Sequence, residues 1–320
     1  MAIFFSIEKI LRIRYPACGR LSPAKPVAQM PVPRLFSAVP TPLDETLRIA
    51  TGPLAHHCKA LFASGCDGAV LFGTTGEGTF FSVPEKLEGL ERVLAAGVPA
   101  EKIILATGAC ALEEAAAMAI GAAEVGCAAA LVLPPFFTKP VDDAGLADWF
   151  DALIDRAGGD AAILLYHIPA IAGVGFSPDL VARLFDRHGG VIRGVKDSSA
   201  DSALARELAR RGLPGVHVST EAGLTGNIAA GMQGTISASL NITLPFVRRA
   251  LGDDPAAADS TVAAIRAHLA RHSLVWATKT ALSEETRDAA WSRLAPPHRP
   301  PAGVDRTAFL ATLHRLRAAP

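Results

Sequence analysis

The chain lacks an excess of charge of either sign, since its 31 Lys and Arg residues balance its 31 Asp and Glu residues. Proteins that bind nucleic acids or anionic membranes carry a basic surface that attracts phosphate groups. The chain also lacks an uninterrupted apolar stretch of the roughly 20 residues that a membrane-spanning helix needs, because Gly, Pro or charge interrupts each candidate. We therefore expect no nucleic-acid or membrane partner, and a small neutral or anionic metabolite remains as the ligand class.

Cysteine is scarce, and its spacing matches no disulfide or metal-binding pattern. The five cysteines are odd in number and form no CxxC pair or zinc-ligand pattern; they are Cys18, Cys58, Cys66, Cys110 and Cys127. This spacing excludes a disulfide framework and favours reduced thiols in a cytoplasmic protein. A metal site at His56, His57 and Cys58 is disfavoured, because consecutive helical residues do not face one ligand together. We expect no metal.

Residues 1–33 differ in composition from the rest of the chain. They are basic, with a single acidic residue at Glu8, and then become rich in proline. The segment lacks the continuous apolar core and the small-residue cleavage site of a secretory signal, so we do not expect export. A mitochondrial-type leader is one interpretation. A disordered extension, or a start assigned too far upstream with Met30 as the working initiator, is the interpretation that we favour.

Apolar residues make up 50% of the chain and charged residues only 19%, which suits a large buried core. Eight short apolar runs alternate with segments of helical periodicity, as in repeated βα units on a parallel sheet. The runs lie at 35–39, 69–73, 102–107, 129–134, 162–168, 192–197, 215–219 and 234–239. An open doubly wound sheet would carry a glycine-rich phosphate loop after its first strand, and VPTPLDET is not one. The pattern predicts a (β/α)8 TIM barrel over 34–243 and a helical appendage over 244–320.

Functional groups of such barrels collect where the strands end. Lys196 ends the sixth run, where burial of a charge without a purpose is costly. A neutral amine there can attack a carbonyl, as in aldolases; an ion pair with Asp197 is the structural alternative, and position alone does not separate the two. Tyr166 ends the preceding strand and can pass protons, or simply pack. Thr74 and Thr75 offer hydroxyls to a carboxylate within the glycine-rich segment GTTGE.

The order of GTTGE at 73–77, Tyr-x-x-Pro at 166–169 and Lys-Asp at 196–197 resembles the dihydrodipicolinate synthase and N-acetylneuraminate lyase family. The resemblance runs from about Phe36 to about Asn241. It implies a class I aldolase in which Lys196 forms an imine with pyruvate, Tyr166 passes protons, and Thr74 and Thr75 hold the carboxylate. It further implies a backbone contact near Ile236, a homotetramer, and no metal or organic cofactor.

The chain departs from the lysine-pathway synthases of that family at two places. They carry an Arg five residues beyond the Tyr, where this chain has Ile171, and a Tyr of the proton relay where it has Phe136 and Phe137. Losing a polar contact to a charged ligand costs about 1–3 kcal/mol or more. We therefore expect the second component to be a sugar-acid-derived or other aldehyde.

Other outcomes stay open at this point. A dehydratase or hydratase-aldolase can use the same imine, the synthase itself is demoted, and a catalytically silent barrel that binds a 2-oxo acid is a third possibility. Phe137, His167 and Ile171 are candidate pocket residues. Strand alternation turns His167 away if Tyr166 faces inward, which favours a structural role for the imidazole.

Overall fold

The computed structural model describes residues 34–252 and 255–318. The interpretations of residues 1–33, with Met30 as initiator, therefore lie outside the described residues. Within them, eight parallel strands pair in chain order, and β8 pairs with β1 to close the sheet. The strands are β1 Arg34–Ala38, β2 Gly68–Leu71, β3 Ile103–Ala106, β4 Ala129–Val132, β5 Ile163–His167, β6 Ile192–Asp197, β7 Val216–Val218 and β8 Gly234–Ser237. The prediction of a (β/α)8 barrel is confirmed, and each predicted run overlaps one strand.

The strands form because short runs of apolar residues are buried on both of their faces. In β4 all four residues are buried, and they alternate between two apolar layers. Ala129 and Leu131 pack inside the barrel, whereas Ala130 and Val132 pack outward against the helices. This period of two decides which side chains at the strand ends face the barrel axis and which face the helix layer.

Helices connect the strands on the outside of the barrel. Several begin where the sequence offers a cap: Ser82 and Glu85 form a reciprocal capping box, and Ser177 accepts a hydrogen bond from the Leu180 N–H before a helix that starts with Pro178. The helices up to β8 are α1 Thr51–Ala63, α2 Val83–Ala95, α3 Leu112–Glu124, α4 Asp143–Ala157, α5 Pro169–Ala172, α6 Pro178–His188, α7 Ala203–Arg210 and α8 Leu224–Ala229. Short 3-10 turns occupy Gly78–Phe80, Ala100–Lys102 and Ala289–Ser292.

Four helices follow the last strand: α9 Leu240–Ala250, α10 Pro255–Ala270, α11 Leu274–Thr286 and α12 Arg306–Ala318. The first of them belongs to the barrel layer, because Asn241 Nδ2 donates to the carbonyl of Ala38 at the end of β1 at 2.9 Å. The boundary that we placed between residues 243 and 244 therefore falls inside α9. Of the three later helices, α10 packs against α9, and α11 and α12 pack against α10. None of the described helices is long and apolar enough to cross a membrane.

Candidate active site

A cavity of about 640 Å³ opens where the strands end. Residues from the ends of β5, β6 and β8, and from the loop after β2, line it. Of the predicted site residues, the lining includes Lys196, Tyr166, Thr74, Thr75, Ile171 and Ile236. The rule that places function at the carboxyl ends of barrel strands therefore selected residues that the fold brings to one cavity.

Lys196 and Tyr166 are neighbours across the β5–β6 ladder, where they are paired in register. The lysine is only 5% exposed, and its Nζ lies 4.2 Å from the centroid of the phenol ring. Inward-facing positions on adjacent strands thus bring an amine and a phenol together at the base of the cavity.

Asp197 does not serve as the ion-pair partner of Lys196. Its Oδ1 accepts hydrogen bonds from the backbone N–H and the hydroxyl of Ser199 at 2.8 and 2.6 Å, and its Oδ2 accepts from the Ala205 N–H at 2.8 Å. The carboxylate therefore organises the start of α7, and the period of two along β6 turns it away from the lysine. No salt bridge to Lys196 occurs among the described residues, so the structural alternative for this lysine has no support.

Neighbouring groups change the pKa of the Tyr166 phenol. Burial raises its pKa, but the nearby positive charge of Lys196 and the hydrogen bonds to Thr74, Lys196 and Ser198 lower it by more, so the net pKa falls below the ordinary value. The hydroxyl of Thr74 lies 3.2 Å from the phenol oxygen. A phenol with this environment can give up and recover a proton more readily than an isolated tyrosine.

The loop Gly73–Gly78 presents Thr74 and Thr75 to the cavity. The backbone is tightly wound here, with positive φ at Glu77 and at Phe72, which directly precedes the loop. A Cβ on Gly78 would lie 1.6 Å from the carbonyl oxygen of Phe72, so only glycine fits that position. The hydroxyl of Thr41 donates to the carbonyl of Gly76 at 2.5 Å and holds the turn from the β1 side.

The same loop is held by the C-terminal helices. Glu77 and Lys279 form an ion pair in which the side chains are 0% and 1% exposed. Lys279 also donates to the carbonyl of Arg293 at 2.6 Å, and Glu77 accepts from the Ala295 N–H at 2.7 Å. Sequence reasoning missed this link, and its one signal is a lysine within the apolar helix segment LVWATKTAL.

The three candidate pocket residues have different positions. Ile171 lines the cavity at its rim and is 68% exposed. Phe137 is 86% exposed and does not line the cavity. His167 does not line it either, because it faces the helix layer, where its Nδ1 accepts the N–H of Phe176 at 3.0 Å. Burial lowers the pKa of this imidazole. The neighbouring Phe136 is half-buried, and its N–H donates to Cys110 Sγ at 3.2 Å.

Several residues of the cavity wall were not predicted. They include the hydroxyls of Ser198, Ser199 and Ser202 after β6 and the guanidinium of Arg266 from α10. The serines lie in a polar loop whose path cannot be inferred from local pattern. Arg266 lies in a helix that we had assigned to an appendage, and nothing in its immediate sequence points to the barrel.

The sequence profile of the dihydrodipicolinate synthetase family matches residues 31–282. An uncharacterized DapA-like lyase from Chloroflexus aurantiacus is 31% identical over 297 residues, covering 89% of this chain and 97% of the relative. A 4-hydroxy-tetrahydrodipicolinate synthase from Parasynechococcus marenigrum is 32% identical over 229 residues, covering 70% of this chain and 74% of the relative.

Two solved structures are similar to this chain. Dihydrodipicolinate synthase from Agrobacterium tumefaciens superimposes with a TM-score of 0.82 at 30% identity, over 88% of this chain and 99% of that one. N-acetylneuraminate lyase from Proteus mirabilis superimposes with a TM-score of 0.76 at 22% identity, over 89% and 98%. The second likeness concerns the fold alone.

Proposed function

The chain belongs to the dihydrodipicolinate synthetase family, and on this premise we propose that it is a Schiff-base-forming lyase that acts on pyruvate or a related 2-oxo acid. The observation that carries the proposal is the placement of Lys196. It is buried at the base of the cavity without a carboxylate partner among the described residues, and the phenol of Tyr166 lies beside it.

In the proposed reaction the amine of Lys196 attacks the 2-oxo carbon, water leaves, and an iminium forms. The iminium draws electrons from the adjacent bond, so that C3 loses a proton or its bond to C4 breaks. Tyr166 accepts the proton that is released and returns it to the product, with Thr74 as its hydrogen-bond partner. The hydroxyls of Thr74 and Thr75 hold the carboxylate, and Ile236 provides a backbone contact. The imine is the electron sink, so this scheme needs no cofactor.

We propose that the reaction makes or breaks a C–C bond of a 2-oxo-3-deoxy sugar acid or a similar compound. Hydroxyls of Ser198, Ser199 and Thr220 line the cavity and suit a hydroxylated chain. The synthases among the relatives are named for another reaction. Ile171 offers no charge at the rim, and Phe137 neither lines the cavity nor carries a hydroxyl for a relay. We also propose that the protein is a cytoplasmic homotetramer.

The test is reductive trapping. We expect incubation with pyruvate and borohydride to add one reduced pyruvate to the peptide that contains Lys196, as measured by mass spectrometry. Lys86 and Lys279 serve as internal controls, because they are also buried lysines, 2% and 1% exposed, but lie outside the cavity. An unmodified Lys196, or equal labelling of the three lysines, would refute the proposal.

Product analysis then separates the reaction types. Cleavage of a 2-oxo-3-deoxy acid releases pyruvate, whereas a dehydratase or hydratase-aldolase that only dehydrates keeps the carbon chain whole. Pyruvate trapping without turnover of any such acid or aldehyde would instead identify a barrel that binds a 2-oxo acid without catalysis.

A further inference from the structure

Arg266 brings a guanidinium to the cavity from outside the barrel strands. It lies in α10 and lines the cavity that contains Lys196. Its side chain is 25% exposed, so it is neither buried in the helix layer nor free in solvent. Among the described residues of the cavity wall, Lys196 is the lysine and Arg266 is the arginine.

One nitrogen of the guanidinium holds the side chain in place. Nη1 lies 2.7 Å from Ser239 Oγ and 3.1 Å from Ser237 Oγ, beside the carboxyl end of β8. The same nitrogen lies 3.3 Å from Glu221 Oε2. Three contacts from two neighbouring segments therefore fix one end of the planar group.

Glu221 contacts Arg266 only at Nη1. The carboxylate is 0% exposed, and its other oxygen accepts from the Thr243 hydroxyl at 2.7 Å. Its 3.3 Å separation from Nη1 exceeds the about 2.7–2.9 Å of a strong charge-assisted bond. The serines and Glu221 all contact Nη1, so they leave the opposite side of the guanidinium for other ligands.

That opposite side is the edge formed by Nε and Nη2. It makes no hydrogen bond or ion pair to a residue in the described part of the chain. Two parallel N–H donors at this spacing match the two oxygens of a carboxylate or a phosphate. The guanidinium is fixed through Nη1, and its Nε and Nη2 donors have no partner among the described residues. Such a group in a cavity wall suits an anionic group of a ligand.

In the proposed reaction, other residues bind the 2-oxo acid end of the substrate. Lys196 is consumed by the imine, and Thr74 and Thr75 hold the carboxylate next to it. Ile171, at the rim, cannot bind a second anion. A negative charge on the far end of the substrate therefore has Arg266 as its arginine partner among the described cavity residues.

We propose that Arg266 is a specificity-determining residue that binds a second anionic group, a carboxylate or phosphate, at the end of the substrate remote from the 2-oxo carbon. The substrates are then 2-oxo acids with two anionic ends, formed from pyruvate and an anionic aldehyde. This inference rests on the proposed function and narrows its substrate class.

The test compares 2-oxo acids of equal length that differ only in the far end. The dicarboxylic acids 2-oxoglutarate, 2-oxoadipate and 2-oxopimelate are paired with 2-oxopentanoate, 2-oxohexanoate and 2-oxoheptanoate, and half-saturating concentrations are measured by borohydride trapping. For at least one length, we expect the dicarboxylate to bind about tenfold to hundredfold more tightly, as a charge-assisted contact provides.

Substitutions assign that preference to the arginine. We expect Arg266→Gln to remove the dicarboxylate preference, measured as the ratio of the half-saturating concentrations within each pair of acids, and Arg266→Lys to retain part of it. Arg271→Gln is the matched control, because Arg271 follows the same helix, is exposed and does not line the cavity. Circular dichroism of each variant verifies folding.

The outcomes separate this inference from the function on which it rests. If pyruvate is not trapped at all, the proposed function fails. If pyruvate is trapped but the paired acids bind equally at every length, or the preference survives in Arg266→Gln, the role of Arg266 is refuted and the lyase stands. Turnover of pyruvate with glyceraldehyde 3-phosphate, compared with glyceraldehyde, distinguishes a phosphate end from a carboxylate end.

Discussion

Tyr166 and Lys196 are paired residues of adjacent strands, and the lysine Nζ lies 4.2 Å from the centre of the tyrosine ring. Their separation is set by the backbone register of β5 and β6 and not by a flexible loop. A change that removes only the phenol oxygen therefore leaves the lysine in its place. This allows the roles of the two groups to be measured separately.

The Tyr166→Phe variant should slow turnover far more than it reduces trapping of pyruvate. A positioned acid–base group contributes about 10²–10⁴-fold to rate, whereas the aromatic ring that packs beside Lys196 is retained. Steady-state kinetics with a cleaved 2-oxo acid, together with borohydride trapping, measure the two effects. Thr74→Val is the companion variant, because it removes the hydroxyl 3.2 Å from the phenol. Turnover equal to that of the wild type in Tyr166→Phe would contradict the assigned role.

The buried ion pair of Glu77 and Lys279 should be costly to break from one side. Lys279→Met leaves an uncompensated carboxylate, and we expect a loss of about 3–5 kcal/mol in the free energy of unfolding. Combining it with Glu77→Gln should recover part of that loss. Urea unfolding measures the single and the double variant. The KM for pyruvate should also rise in Lys279→Met, because Glu77 belongs to the loop that carries Thr74 and Thr75.

An exposed pair provides the control for that experiment. Arg92 and Glu88 are neighbours one helical turn apart, and their side chains are 64% and 51% exposed. We expect Arg92→Met to change stability by less than about 1 kcal/mol, as is typical of surface pairs. Equal effects of Lys279→Met and Arg92→Met would show that the buried pair does not hold the loop.

His217 should make the fold sensitive to acid. Burial lowers its pKa to about 4 from an ordinary 6.5, although its bond to the Gly215 carbonyl opposes the shift. Between these values the unfolded chain binds the proton and the native chain does not, so stability rises with pH across this window. The contribution, about 3 kcal/mol, is complete above pH 6.5 and is lost as the pH falls towards 4. Unfolding of His217→Gln, measured from pH 4 to 7, should show a shallower slope than the wild type; parallel slopes would exclude this residue.

Gly78→Ala should disrupt the loop after β2. The added Cβ would meet the Phe72 carbonyl oxygen at 1.6 Å, a contact that only movement of the backbone can relieve. Gly52, in the first turn of α1, has nothing within 4 Å of the same position, so Gly52→Ala is the control. We expect loss of pyruvate trapping together with a lower Tm in the first variant and neither in the second.

The barrel could be predicted from sequence because local patterns determine it. Each strand is a short apolar run that alternates with helical segments, and the period of two along β5 separates Tyr166 from His167. The same rule, applied to β6, distinguishes Lys196 from Asp197 once the inward face is known. These inferences need no knowledge of distant residues.

The rest of the cavity depends on contacts between distant parts of the chain. Lys279 meets Glu77 across 202 positions, and Arg266 meets Ser237 across 29. No periodicity records how α10 and α11 dock on the barrel, so neither residue was predicted. Ile171 was predicted because it stands five residues beyond Tyr166, where the lysine-pathway synthases carry an Arg, and it lies in the short helix α5 directly after β5.

The link between Glu77 and Lys279 also has a consequence during synthesis of the protein. A ribosome makes the loop of Thr74 and Thr75 early, but the lysine that pairs with its carboxylate emerges about two hundred residues later. After β8 has been made and before Lys279 emerges, the nascent chain has all eight strands but lacks the residue that pairs with Glu77. On the proposed function, a nascent chain stalled before α11 should therefore trap pyruvate more weakly than the complete chain, because Glu77 still lacks its ion-pair partner.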